Sequence, residues 1–100
     1  MELMTSFEHS DRNFFRAYLA PAGLEVELDH GDGGHEFASI TRGGDLIGGI
    51  VLCSNGFHVY GHDGHGVVAG VTRLRATATI LQMDRGYVNE RDPLPKLMMA

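Results

Sequence analysis

The amino-acid sequence predicts a single α+β domain built on an antiparallel sheet. Three observations support this: an Asn-Gly turn inside the apolar stretch Leu46–Tyr60, an apolar-acidic alternation in Leu24–Asp29, and an N-terminal aromatic stripe at helical spacing. Asn-Gly between strand-like segments is a strong hairpin signal, and alternation with one polar face is typical of an antiparallel strand. We therefore expect a four- to five-stranded antiparallel sheet packed by an N-terminal helix and by a second helix near residues 71–85.

The N-terminal helix is predicted at Ser6–Ala20. Thr5 and Glu8 fit a capping box, and Ser10 offers a rival start one turn later. Pro21 cannot extend the helix, so the helix should end by Ala20. The face expected to be buried against the sheet consists of Phe14, Phe15, Tyr18 and Leu19.

The predicted strands follow one another along the chain at Leu24–Asp29, His35–Arg42, Asp45–Cys53, Phe57–Gly61 and, more briefly, Val67–Ala69. Phe37 and Ile40 are three residues apart, so the alternation slips and a β-bulge is expected in that strand. In an up-and-down order of strands, the turns at 30–35 and 61–66 lie at opposite ends of the sheet.

Residues 71–83 fit a strand and a helix equally well by periodicity. The β-branched residues favour a strand, whereas Arg85 followed by Gly86 is typical of a helix C-terminus. We predict a helix near Val71–Arg85. The compact domain then covers residues 1–87, and residues 88–100, with Asp92-Pro93-Leu94-Pro95, form a loosely ordered tail.

The charge of the chain limits its partners. The net charge is −5, and residues 1–65 carry ten acidic against three basic residues, whereas residues 66–100 carry three against five. This distribution disfavours direct nucleic-acid binding over a broad surface, since phosphate binding needs a basic face. No apolar run approaches the roughly 18 residues of a membrane span, the N-terminus lacks signal-peptide features, and the single Cys53 cannot form an internal disulfide. We expect a cytoplasmic chain without a membrane partner.

An acidic face is the most informative feature for function. Glu25, Glu27 and Asp29 alternate along one strand, and no Lys or Arg occurs in residues 24–36. Asp32 and Glu36 continue the charge, and like charges this close cost stability unless something offsets them. A solvated face is the simpler interpretation. The sharper hypothesis is a partner-binding surface formed by all five carboxylates, which fits a basic groove that normally holds nucleic-acid phosphates.

The histidines suggest a different class of site. His58, His62 and His65 lie close in sequence with Asp63, and these side chains suit a transition metal such as zinc. Their spacing matches no metal site that we can name, so exposed polar turn residues are the competing interpretation. Cys53 would need a nearby base and an exposed position to act as a nucleophile. No specific catalytic motif is present, and we predict no catalytic residues and no enzyme activity.

The leading hypothesis is a non-enzymatic, small acidic binding protein that inhibits a partner by occluding its nucleic-acid-binding surface. Small size, acidity and a one-sided carboxylate face are features of inhibitors encoded by phages and mobile elements, such as anti-CRISPR and anti-restriction proteins. The alternatives are a small metal-binding protein and an assembly subunit without a site of its own, docked through Leu97, Met98 and Met99. The sequence leaves homodimerisation open.

Overall fold

The computed structural model describes residues 7–31 and 35–86, and it confirms the α+β class. The five strands form one antiparallel sheet in the up-and-down order β1-β2-β3-β4-β5. The elements are α1 (His9–Leu19), a 3-10 turn (Ala20–Ala22), β1 (Glu25–His30), β2 (Glu36–Arg42), β3 (Asp45–Cys53), β4 (Gly56–Gly61), β5 (Gly66–Val71) and α2 (Arg73–Asp84). The predicted tail at 88–100 lies outside the described residues.

The core lies between the sheet and the two helices, which both pack on the same sheet face. Ala38, Ile50 and Val59 are cross-strand neighbours in β2, β3 and β4, and all three are completely buried. They belong to one cluster with Phe15 of α1 and Ile80 of α2. Burying such side chains supplies the main favourable free energy of folding, about 1.5–3 kcal/mol for each large one.

Helix α1 begins three residues later than the predicted Ser6. Its N-cap is Glu8, so Glu8 is not at the third helical position that the predicted capping box requires; Thr5 lies outside the described residues. Phe7 explains the later start. Its ring stacks on Phe57 with 6.2 Å between the ring centroids, and its N–H donates a hydrogen bond to Glu36 Oε1 at 2.8 Å. Phe7 therefore makes tertiary contacts instead of belonging to the helix.

One residue of the predicted buried stripe lies on the surface. Phe15 and Leu19 are completely buried, but Tyr18 is 43% exposed and packs its ring beside the half-buried Phe14 at 5.1 Å. The helix is 11 residues long, and only a narrow stripe of it faces the sheet. Tyr18 therefore covers a neighbouring ring instead of filling the core.

Helix α2 resolves the ambiguous stretch in favour of the predicted helix. Thr72 Oγ1 accepts a hydrogen bond from the Arg75 N–H at 3.1 Å, and Gly86, at a φ of 75°, donates its N–H to the Met83 carbonyl. These are a helix N-cap and a glycine C-terminal motif. The buried hydroxyls of Thr77 and Thr79 donate to helix carbonyls one turn earlier, so β-branched residues are accommodated without unpaired polar atoms.

The β-bulge predicted in β2 is wrong: Ile40 pairs with Gly48 and Thr41 with Leu46, so the extra residue is Ile47 of β3. Phe37 and Ile40 point to opposite faces, since Phe37 pairs with Val51 and Ile40 with Gly48. Gly48 lies directly under α2. A Cβ atom there would be 2.6 Å from the Tyr60 carbonyl oxygen and 2.8 Å from Met83 Cε, so α2 approaches the strand backbone closely.

Glu36 links the start of α1 to the sheet. Its side chain is only 5% exposed, and it accepts hydrogen bonds from the Phe7 N–H at 2.8 Å and from Arg12 Nη2 at 3.0 Å. Burial alone would raise the pKa of Glu36, but these two hydrogen bonds and the guanidinium charge outweigh burial and lower the pKa. The carboxylate is therefore charged and structural.

Replacing Glu36 by alanine should destabilise the domain by about 2 kcal/mol, because the Phe7 N–H and Arg12 lose a charged acceptor. Urea unfolding at pH 7 measures this. Because folding lowers the pKa of Glu36, its contribution to the free energy of unfolding is complete above the ordinary pKa of 4.5. The contribution is lost as the pH falls through the pKa of Glu36 in the folded state. Glu25→Ala is the exposed control, expected within about 0.5 kcal/mol of wild type. Equal stabilities for both variants would contradict this role.

Gly48→Ala should cost about 2 kcal/mol or more, because the new methyl group meets the backbone of β4 as well as Met83. Gly49→Ala is the matched control, since its Cβ would lie 3.3 Å from the Ala38 carbonyl oxygen on the other face. We expect a clearly smaller loss there, measured by thermal unfolding. Similar losses of stability for Gly48→Ala and Gly49→Ala would show that glycine is needed at both strand positions for another reason than the contact with α2.

Candidate functional site

The sheet face opposite the helices, called the open face below, is the candidate site. Within residues 7–31 and 35–86, both helices pack on the other face. The cross-strand register and the alternation of side chains assign the following residues to the open face: Glu25, Glu27, Asp29, Phe37, Ser39, Thr41, Leu46, Gly49, Val51, Cys53, His58 and Tyr60.

Three carboxylates line one margin of the open face. Glu25, Glu27 and Asp29, called the acidic row below, are exposed and belong to the edge strand β1. Alternate residues along a strand are spaced by roughly 6.6–6.8 Å. Their cross-strand partners in β2 are Thr41, Ser39 and Phe37, none of which carries a charge. The acidic row therefore presents three carboxylates to solvent with no charged cross-strand partner among the described residues.

The six arginines in residues 7–31 and 35–86 lie on the opposite side of the sheet. Arg12, Arg16, Arg73 and Arg75 belong to the helices, and Arg85 follows α2; in the part of the chain that the structure describes, only Arg42 is on a strand. Arg42 binds Asp84 of α2 with its Nε and Nη2 atoms, at 3.0 and 2.6 Å. These hydrogen bonds raise the pKa of Arg42 and lower that of Asp84. The described arginines are thus confined to the helix side, where some of them pair with carboxylates, whereas the open face carries the acidic row.

One carboxylate of the predicted five does not extend the acidic row. Glu36 is buried on the helix-covered face, where it binds Arg12 and the Phe7 N–H, so its assignment to the exposed face is corrected. Its position follows from strand alternation, since Glu36 has the same parity as the buried Ala38 and Ile40. Asp32 lies outside the described residues.

A shallow depression of about 200 Å³ lies near the acidic row. Gly49 has no side chain and leaves space between Ser39 and Tyr60, its neighbours on the adjacent strands. Leu46 is 48% exposed at one side of the depression. The lining is Phe37, Ser39, Leu46, Gly48, Gly49, Ile50, Val51, Tyr60, Gly61, His62 and Gly64. The sequence contained a signal for this feature in Gly48-Gly49, a pair of glycines inside an apolar strand.

The four predicted metal ligands lie in two places: His58 is buried on β4, whereas the other three belong to an exposed turn. His58 is 6% exposed on β4, with Nε2 3.2 Å from Asn55 Oδ1, and burial lowers its pKa. Asp63 and His65 form an exposed pair with 2.9 Å between Oδ2 and Nδ1, and this hydrogen bond contributes most to lowering the pKa of Asp63 to about 2. His62 is exposed in the same turn. Among residues 7–31 and 35–86, no group of three or more His, Cys, Asp or Glu side chains is arranged to hold a metal ion.

Cys53 is buried at the end of β3, and burial raises the pKa of its thiol. A nucleophilic cysteine needs the opposite shift, since the thiolate is the reactive form. The geometry of Cys53 is that of a small buried side chain.

Comparisons with known proteins give no further guide, since the chain matches no family model and shows no significant similarity to a curated protein or a solved structure. In the described part of the chain, neither helix is long and apolar enough to cross a bilayer. Inference about function therefore rests on the geometry of the open face.

Stability should decrease between pH 7.5 and 5.5 partly because of His58. Its lowered pKa means that the unfolded chain binds a proton more readily below the ordinary value of 6.5, so the free energy of unfolding falls as the pH decreases below that value. His58→Gln keeps a neutral donor near Asn55 and should lose less stability over this interval. Urea unfolding at both pH values tests this, with the exposed His62→Gln as control. Equal pH dependence in wild type and His58→Gln would contradict it.

Proposed function

We propose that the protein is a non-enzymatic binding protein whose acidic row occupies a basic, nucleic-acid-binding surface of a partner protein and thereby inhibits it. The observation that supports this most is the separation of charge: three exposed carboxylates along β1, and all six described arginines in or turned towards the helix layer. A surface with one sign of charge attracts and orients a partner of the opposite sign.

The depression beside the acidic row would supply the apolar part of the contact. Charged rims contribute mainly to association rate and specificity, whereas aromatic side chains and the pockets that they line contribute much of the affinity in protein interfaces. Phe37, Leu46 and Tyr60 line the depression. A basic groove with one protruding apolar side chain would match this surface.

The same depression also supports the competing hypothesis of an assembly subunit, because subunit interfaces are apolar at their centres. The two functions differ in one measurable consequence. An inhibitor that occludes a nucleic-acid groove competes with nucleic acid for its partner, whereas an assembly subunit binds its partner whether or not nucleic acid is present.

Glu25→Lys combined with Glu27→Lys should weaken partner binding by about 100-fold, because like charges would then meet across the interface. Both side chains are exposed, so the free energy of unfolding should change by less than about 1 kcal/mol. The matched control is Glu8→Lys with Asp45→Lys, which alters net charge equally at two exposed positions outside the acidic row. This control should bind nearly as well as wild type.

The test compares three immobilised proteins: the wild type, the acidic-row variant and the control. Each is used to capture partner proteins from cell extracts, and its affinity for each purified partner is then measured. A partner retained by wild type and control, lost by the variant and displaced by single- or double-stranded nucleic acid supports the proposal. Equal retention by all three proteins contradicts it. Simultaneous binding of nucleic acid and this chain by the partner would instead favour the assembly subunit.

A further inference from the structure

We propose that the depression on the open face receives an arginine side chain of the partner, and that Glu27 binds the guanidinium group of this arginine. The inference rests on the proposed function, since it names the chemical group that the site takes from a basic surface. One cross-strand row of the sheet connects the depression with the acidic row, whereas the two neighbouring rows carry larger side chains.

The connecting row consists of Glu27, Ser39, Gly49 and Tyr60, which are cross-strand neighbours in β1, β2, β3 and β4. Ser39, Gly49 and Tyr60 line the depression, and Glu27 is exposed one strand beyond Ser39. Since neighbouring strands are about 4.7–4.9 Å apart, Glu27 lies two strands and about 9.5 Å from Gly49. Between Tyr60 and Glu27 the row carries only a serine and a glycine, so an open path leads from the depression to the carboxylate.

The other two carboxylates of the acidic row lack such a path. Their rows across β1, β2 and β3 are Asp29–Phe37–Val51 and Glu25–Thr41–Leu46. Aromatic and branched side chains occupy the positions that serine and glycine hold in the Glu27 row. A long side chain that lies in the depression therefore reaches Glu27 without crossing a bulky neighbour, and the three carboxylates are not equivalent.

An arginine side chain has the two properties that this path requires. Its methylene stem packs on apolar surface while its charged end remains polar. Phe37, Val51 and Tyr60 supply apolar surface for the stem, and the planar guanidinium can donate two parallel hydrogen bonds to the carboxylate of Glu27. The ammonium group of lysine lacks this planar geometry, and a leucine side chain carries no charge.

The electrostatic surroundings of Glu27 also favour a cation from outside the chain. Within residues 7–31 and 35–86, no Arg, Lys or His forms an ion pair with Glu27. Glu25 and Asp29 lie on either side of it along β1, at roughly 6.6–6.8 Å, and add to the negative potential. The carboxylate of Glu27 is thus available to a guanidinium group that arrives through the depression.

The test uses the intact chain and N-acetyl-arginine amide as the probe, followed by two-dimensional 15N NMR. We expect saturable chemical-shift changes at Ser39, Gly49 and Tyr60. Glu27→Gln should weaken binding of the probe about fivefold, because one charge pair is lost, whereas the matched Glu25→Gln should weaken it less than about twofold. Ser39→Val closes the path with a side chain suited to a strand and should weaken binding at least as much as Glu27→Gln. Thermal unfolding of the three variants checks that each is folded.

Four results would overturn the arginine site. They are no saturable shifts on the open face, equal losses for Glu27→Gln and Glu25→Gln, unchanged binding by Ser39→Val, and equal affinity for N-acetyl-lysine amide or N-acetyl-leucine amide. The proposed function fails in a different measurement. A captured partner that nucleic acid displaces, without arginine binding by the isolated chain, would contradict the arginine site alone. Arginine binding without such a partner would contradict the inhibitory role alone.

Discussion

The whole architecture depends on the period of two in its strands. Each strand of the five must turn alternate side chains to opposite faces, and both helices lie on only one of those faces. On the helix-covered face, α2 meets the strand backbone closely at Gly48. The other face is therefore available for polar and functional groups, and it carries the acidic row and the depression.

Electrostatics divides the molecule along the same plane. The described ion pairs that join distant elements, Arg12–Glu36, Arg42–Asp84 and Arg73–Asp11, all lie on the helix side. In these ion pairs, arginine side chains link the helices to the sheet and to each other. The acidic row has no such partners among the described residues. The proposed binding role rests on this exposed charge, which is unpaired within the described part of the chain.

The fold could be predicted from sequence because its signals are local. The Asn55-Gly56 turn, the Leu24–Asp29 alternation and Gly86 at the end of α2 each act within a few residues. The predictions were wrong where contacts between residues far apart in the sequence determine the structure. Helix α1 starts late because Phe7 contacts Phe57 and Glu36. Strand alternation turns Glu36 towards the helices, and its buried charge is stabilised by Arg12, 24 residues earlier. The Gly48-Gly49 pair marks a missing side chain in β3, but the depression at Gly49 also depends on β2 and β4 coming into register beside it.

The two edges of the described sheet carry different features that oppose edge-to-edge pairing. An edge strand exposes unpaired backbone groups that can template pairing with another chain. On β1 the acidic row opposes such pairing, because two copies brought edge to edge would place carboxylates together. On β5, Gly66–Val71 carries no charge, but its pairing with β4 is interrupted by two register shifts, which make the edge irregular. Any partner that neutralises the acidic row would therefore also remove the electrostatic barrier that keeps β1 from extending into a larger sheet.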